Sequence, residues 1–160
     1  MKPSERTVKA QLTLAELCCI RRHTRLTPIR KEVLTLLLTR NRCAKAYELL
    51  EDLKKTHANA TPPTIYRALE FLINEGLAHR VDSLNAYIAC GDPISGTHNL
   101  IAICPNCHVV AEINDIRIAH TLVNCLRKIK FEPTGSALEI QALCELCRDK
   151  KTEDMIDQRN

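Results

Sequence analysis

Two Cys-x-x-Cys pairs, Cys104-Pro-Asn-Cys107 and Cys144-Glu-Leu-Cys147, constrain this chain more than any other feature. A tight turn holding two thiolates grips one edge of a metal ion, and a second such turn completes a tetrahedron. Four sulfurs with no open position describe a closed, structural zinc site. Between the pairs lie 36 residues, 108–143, room enough for a strand and a helix inside the loop. A redox dithiol would need only one pair on a thioredoxin-like background, which this sequence does not offer.

A chain of 160 residues is one ordinary domain or two small ones. Aromatics reach only 3% and Trp is absent, so the core must be aliphatic. Two small modules, one of them stapled by metal, suit that supply. Nine cysteines and no export signal point to metal binding and free thiols in a reducing cytoplasm, not to a disulfide framework. No apolar run is long enough to cross a bilayer, so no membrane role is expected. The net charge of +4 is uneven. Residues 1–90 carry 15 Lys/Arg against 9 Asp/Glu, whereas residues 91–160 carry 8 against 10. A basic first half beside a mildly acidic, cysteine-rich second half implies a polyanionic partner for the first alone.

In chain order, residues 1–9 read as a frayed polar end. Thr13 and Glu16 have capping-box spacing at the start of a first helix, with Leu14, Leu17 and Cys18 on its apolar face. Thr27-Pro28 reads as N-cap and first residue of a second helix, which buries Ile29, Val33, Leu36 and Leu37. A third helix spans about 44–55, with Ala46, Leu49, Leu50 and Leu53 inward. Prolines 62 and 63 open a fourth helix and Gly76 closes it, with Ile65, Leu69, Leu72 and Ile73 inward. Two short strands, 77–81 and 85–89, then flank a turn at Asp82-Ser83. Helices followed by such a hairpin make a winged helix-turn-helix. The expected fold class is therefore α+β.

The turn-rich stretch 91–98 reads as a hinge linker between a winged-helix domain, 1–90, and a second domain, 99–150. Beyond the hinge, 100–103 and 108–113 read as a hairpin around the first Cys pair. Asp115 or Asn114 caps a helix carrying Ile118, Ala119, Leu122, Val123 and Leu126, and 138–142 reads as a last strand. Residues 151–160 form a charged tail expected to be disordered. On the fourth helix, Thr64, Tyr66 and Arg67 lie off the apolar stripe. Arg67 can fork onto a guanine edge or a phosphate, and Tyr66 can meet a thymine methyl or a phosphate. Thr64 sits at the helix start, where backbone N–H groups also favour phosphate.

Arg25-Leu26-Thr27-Pro28-Ile29-Arg30, then Pro63-Thr64-Ile65-Tyr66-Arg67-Ala68-Leu69, then the two Cys pairs, occur in the order seen in the ferric uptake regulator family. The chain resembles that family from about residue 14 to 147. The resemblance implies a homodimeric, metal-responsive transcriptional repressor binding palindromic double-stranded DNA, with no enzymatic activity and no small-molecule substrate. It implies a small C-terminal α/β dimerisation domain carrying the four-cysteine zinc site, and adds Arg25 to the DNA-contacting residues. Within the family, the hinge is similar to the zinc-sensing members. The His-rich run that iron and peroxide sensors carry before the first Cys pair is reduced here to Thr97-His98-Asn99-Leu100.

That likeness carries over a regulatory site of His79, Cys90, His98 and Glu112, and so two Zn2+ ions per subunit. One thiolate, two imidazoles and a carboxylate suit tetrahedral zinc, whereas manganese and iron prefer octahedral, oxygen-rich sites. The implied role is zinc-dependent repression controlling zinc uptake and homeostasis. Its rivals are an iron, manganese or peroxide sensor of the same family, a zinc-dependent hydrolase or deaminase, which would need a His-x-Glu pairing that this sequence lacks, or a zinc module for protein interaction without DNA binding. His98 is the least fixed of the four ligands, with His120 the other imidazole available. Gln141 stands near the place of a histidine that serves a further metal site in several relatives, and glutamine is a poor zinc ligand, so no third site is expected.

Overall fold

Proline lacks an N–H and holds φ near the helical value, so it starts helices well. The prolines expected in that role do start helices in the computed structural model, which describes residues 5–40, 42–93, 99–113, 115–133 and 137–149. Helix α2 spans Pro28–Arg40 and α4 spans Pro62–Asn74. The two are joined by α3, Ala46–Lys54, and preceded by α1, Glu5–Arg21. After α4 the chain turns at Gly76, whose φ of +66° lies in the left-handed region that a side chain disfavours.

Helix α1 departs from the sequence expectation. It begins at least eight residues before Thr13, which is mid-helix and donates its hydroxyl to the Lys9 carbonyl (3.1 Å). Thr13 therefore makes a back-bond within the helix instead of a cap. The buried face holds Ala15, Cys18 and Cys19, while Leu17 is 52% exposed. In α2 the buried stripe is Val33, Leu34, Leu37 and Leu38, one position round from the expected set. Ala44 is not helical: it exchanges two backbone hydrogen bonds with Tyr87 (2.8 and 2.9 Å) and adds a bridge to the wing.

The wing is the antiparallel pair β1, Ala78–Val81, and β2, Ala86–Ala89, with the 3-10 turn Asp82–Leu84 between them. A second, three-stranded sheet has the order β4-β3-β5. Here β3, Asn99–Ile103, runs antiparallel to β4, Val110–Ile113, and parallel to β5, Ala137–Gln141. The crossover carries α5, Ile116–Lys128, capped by Asp115, whose carboxylate accepts from the Arg117 N–H (2.9 Å). Of the apolar residues expected on α5, Ala119 and Val123 are buried while Ile118 is half exposed.

Two apolar cores result, and the wing lies between them. Cross-strand partners share a face. Ala78 and Tyr87 turn to the helical core, which is built on Val33, Leu37, Leu49, Leu53, Ile65, Leu69 and Leu72. Val81 and Ile88 turn the other way and pack with Ile101 and Ile103 of β3. A fully buried leucine such as Leu72, at 0% exposure, is held by packing with little room to relax. Leu72→Ala should lower the unfolding free energy by about 2–5 kcal/mol, measured by chemical denaturation.

Candidate metal centres and nucleic-acid face

The four cysteines of the two pairs come together. Their sulfurs lie within 4.8 Å of one another. The first pair follows β3 directly, where the Cys104 N–H donates to the Val109 carbonyl and the His108 N–H to the Cys104 carbonyl (both 2.9 Å). The second pair follows β5, and there the Cys147 and Arg148 N–H groups donate to the Cys144 carbonyl (3.1 and 2.9 Å). Because β3 and β5 are parallel neighbours, their ends bring both turns to one edge of the sheet. The Ala142 N–H donates to the Ile103 carbonyl (3.0 Å), which holds that edge.

The four cysteines could hold a metal ion. Cys107 and Cys144 sulfurs are 3.5 Å apart, far beyond the roughly 2.05 Å of a disulfide and close to the roughly 3.8 Å edge of a zinc–sulfur tetrahedron. No disulfide joins any of the nine cysteines. Hydrogen bonds from backbone N–H groups of Cys144 and Cys107 bring the Cys104 thiol down to about 6. Hydrogen bonds with Cys107 and Cys144 push Cys147 up to about 12. Thiols this close cannot all ionise unless a cation sits among them.

A second cluster joins the wing to the three-stranded sheet. His79 of β1, Cys90 just past β2 and Glu112 of β4 place one donor atom each within 4.8 Å of the others. His79 Nε2 lies 3.4 Å from Glu112 Oε1, and Cys90 Sγ lies 3.7 Å from the same oxygen. A zinc tetrahedron with bonds of about 2.0–2.3 Å has edges of about 3.3–3.8 Å, so both separations suit one small ion. Strand register explains the placement of His79. It shares a face with Val81, which points to the second sheet, while Arg80 between them points to solvent. Cys90 is held by its own N–H, which donates to the Leu77 carbonyl (2.9 Å) at the open end of the hairpin.

Glu112 is tied from its other oxygen, which accepts from the Gly91 N–H (2.7 Å). Burial raises its carboxyl, but the hydrogen bonds from His79 and the Gly91 N–H outweigh that, leaving it below the usual carboxylate range. It is held as an anion facing an imidazole and a thiol. His98 and the remainder of the stretch 94–98 lie outside the described residues, as does the tail 151–160. His120 is exposed on α5 and joins neither cluster among the described residues.

On α4, Tyr66 is 55% exposed and Arg67 is exposed, while Ile65, Ala68 and Leu69 beneath them are buried. Arg25, just before α2, is also exposed. Thr64 lies in the first turn of α4. Its hydroxyl accepts from the Thr61 N–H (3.3 Å) and lies 3.0 Å from the Thr61 hydroxyl, so it closes the start of the helix. Arg30, singled out only as part of a motif, stacks its guanidinium 3.6 Å from the Phe71 ring centre and so braces α2 against α4. Glu139 was not foreseen at all, because an isolated strand glutamate carries no local pattern. Its carboxylate accepts from the N–H groups of Asp82 and Ser83 in the wing turn.

The chain has relatives among known proteins. It is 37% identical over 147 residues to the zinc uptake regulation protein of Escherichia coli strain K12, an alignment covering 88% of this chain and 83% of that one. A solved structure of a zinc uptake regulator complexed with zinc and DNA is 34% identical, with a TM-score of 0.79 over 91% of this chain and 97% of that one. The holo form of a protein designated XcZur is 37% identical, with a TM-score of 0.73 over 86% and 96%. The Helicobacter pylori ferric uptake regulator, 16% identical with a TM-score of 0.55 over 92% and 97%, shares the fold. Residues 21–141 match the ferric uptake regulator family as a whole, and the chain belongs to that family.

Proposed function

We propose that this protein is a zinc-responsive, DNA-binding transcriptional repressor, with zinc as co-repressor, that controls genes of zinc uptake and homeostasis. The meeting of His79, Cys90 and Glu112 at the junction of wing and second sheet carries the reading. Relatives that are zinc uptake regulators, one of them solved with zinc and DNA, support it. His98, following the hinge, is assigned as the fourth ligand. A thiolate and imidazoles select zinc over the oxygen-loving metals. The four cysteines hold the second, structural ion, with all positions filled by sulfur and none left for catalysis. The protein is accordingly read as a cytoplasmic regulator and not an enzyme.

The parts divide the work. Residues 1–90 form the reader, with Tyr66, Arg67 and Arg25 facing DNA and Thr64 at the start of the reading helix. Residues 99–150 form the dimerisation platform, and 91–98 the hinge. Ile116, Ile118 and Ile140 are exposed along α5 and β5, an apolar surface that fits a second copy of the chain. Two readers on one two-fold platform suit a palindromic duplex, provided their separation matches the spacing of successive major grooves.

The regulatory ligands sit on both sides of the hinge, so holding them together sets the angle between reader and platform. Carrying such an equilibrium from 1:99 to 99:1 needs about 5.5 kcal/mol of differential binding. When bound, zinc supplies coordination energy that reaches about 10–16 kcal/mol in structural sites. Glu112 contributes its anionic carboxylate and its grip on the Gly91 N–H, and Cys90 is held ready by the backbone.

Zn2+ should restore operator binding to chelated protein in a gel-shift titration where Fe2+ and Mn2+ do not; restoration by iron or manganese instead would overturn the zinc assignment. Cys90→Ser should abolish zinc-dependent binding while leaving a folded dimer by light scattering. Cys104→Ser should lose the structural zinc, seen by metal analysis, and unfold or monomerise. Arg67→Ala should weaken operator binding about tenfold or more at fixed salt.

A further inference from the structure

We infer that Glu139 is a positioning residue for the DNA-binding arrangement, forming a second, metal-free tie between the wing and the three-stranded sheet. The inference rests on the zinc switch proposed above. In β3, Ile101 pairs with Glu112 on one side and with Glu139 on the other. Cross-strand partners share a sheet face, so Glu112, Ile101 and Glu139 form one row across the sheet. Ile101, in the middle, is fully buried against Val81 of the wing. The carboxylates on either side reach opposite ends of the wing hairpin.

Glu112 meets the open end, at His79, Cys90 and the Gly91 N–H. Glu139 meets the turn, where one oxygen accepts from the Asp82 N–H and the other from the Ser83 N–H (3.2 Å). These are the first N–H groups of the 3-10 turn, which have no acceptor within the turn itself. A carboxylate accepting both makes charge-assisted hydrogen bonds. The apolar contacts of Val81 and Ile88 with Ile101 and Ile103 are non-directional. Ties at both ends of the hairpin add directional restraints to them.

Alternation along β5 sends Leu138 and Ile140 to the opposite face from Glu139. There Ile140 lines an open apolar cavity with Leu100, Ile118, Leu122 and Cys125 of the platform. The strand that holds the wing turn is thus also part of the apolar surface assigned to the dimer. A contact formed only when the wing is seated favours that seating. By reciprocity, it raises the affinity of the hinge ligands for zinc from the opposite end of the hairpin.

The test uses the full-length protein with its structural zinc retained. Affinity for Zn2+ at the hinge is measured by chelator competition, and operator binding across the same buffered Zn2+ series. Glu139→Ala should weaken the hinge affinity about tenfold and shift the zinc midpoint for operator binding equally, with structural zinc and dimer unchanged. Glu139→Gln, which keeps one acceptor, should fall between. Asp82→Pro removes one donor from the wing side at a helix-start position that proline suits, and should reproduce part of the loss. Combined with Glu139→Ala, it should add less than its separate effect.

Wild-type hinge affinity in Glu139→Ala, or full additivity of the two substitutions, overturns the inference. Should Glu139→Ala fail to fold, Asp82→Pro decides: unchanged zinc affinity there also overturns it. If the wild-type protein shows no zinc-dependent operator binding, the switch itself fails. Amide exchange at Ser83 then decides the tie separately: faster exchange in Glu139→Ala supports it, and unchanged exchange overturns it.

Discussion

The wing hairpin is packed on both faces, and most of the architecture follows from that. A two-stranded ribbon alone is marginal in water, since it buries too little to offset the entropy of ordering it. Here Ala78 and Tyr87 face the helical core while Val81 and Ile88 face Ile101 and Ile103. Ala44 adds a backbone bridge to Tyr87. The hairpin is therefore the common wall of two cores. Any change in its angle disturbs apolar packing on both sides, which favours discrete positions over a continuum.

Against that wall, the two ligand clusters have different mechanical characters. The cysteines join the ends of neighbouring strands in one sheet, so a cation among them would consolidate a unit already paired by β3 and β5. His79, Cys90 and Glu112 come from two sheets that meet through the small apolar cluster around Val81 and Ile101. So small a cluster holds the junction lightly, and coordination there can alter its balance. The first arrangement suits permanence, the second exchange.

The sequence was most legible where a single residue dictates backbone geometry. Pro28, Pro62 and Gly76 marked helix boundaries because ring closure and a missing Cβ act locally, without reference to partners. Thr13 misled for the converse reason. Its capping spacing with Glu16 is real, yet a threonine inside a helix can donate to the carbonyl four residues back, and only continuation of the helix from Glu5 decides between the two. Thr64 lies at the start of the fourth helix as read, and its hydroxyl contact with Thr61 is visible only in the structure. Burial stripes on α1 and α2 were slightly misplaced, because a stripe is defined by which neighbours arrive.

The amino-acid sequence by itself determined the donor types: four thiols in two tight turns, and a histidine, a cysteine and a glutamate widely spaced along the chain. Residue chemistry and short-range spacing are properties of the chain alone. Only the tertiary structure decided that β3 and β5 run side by side and bring the two turns to one edge. It alone set the register in which Glu112, Ile101 and Glu139 form a row beneath the wing. Such placements depend on strand pairing between residues far apart in sequence. A shift of one position would have turned every one of those side chains to the other face.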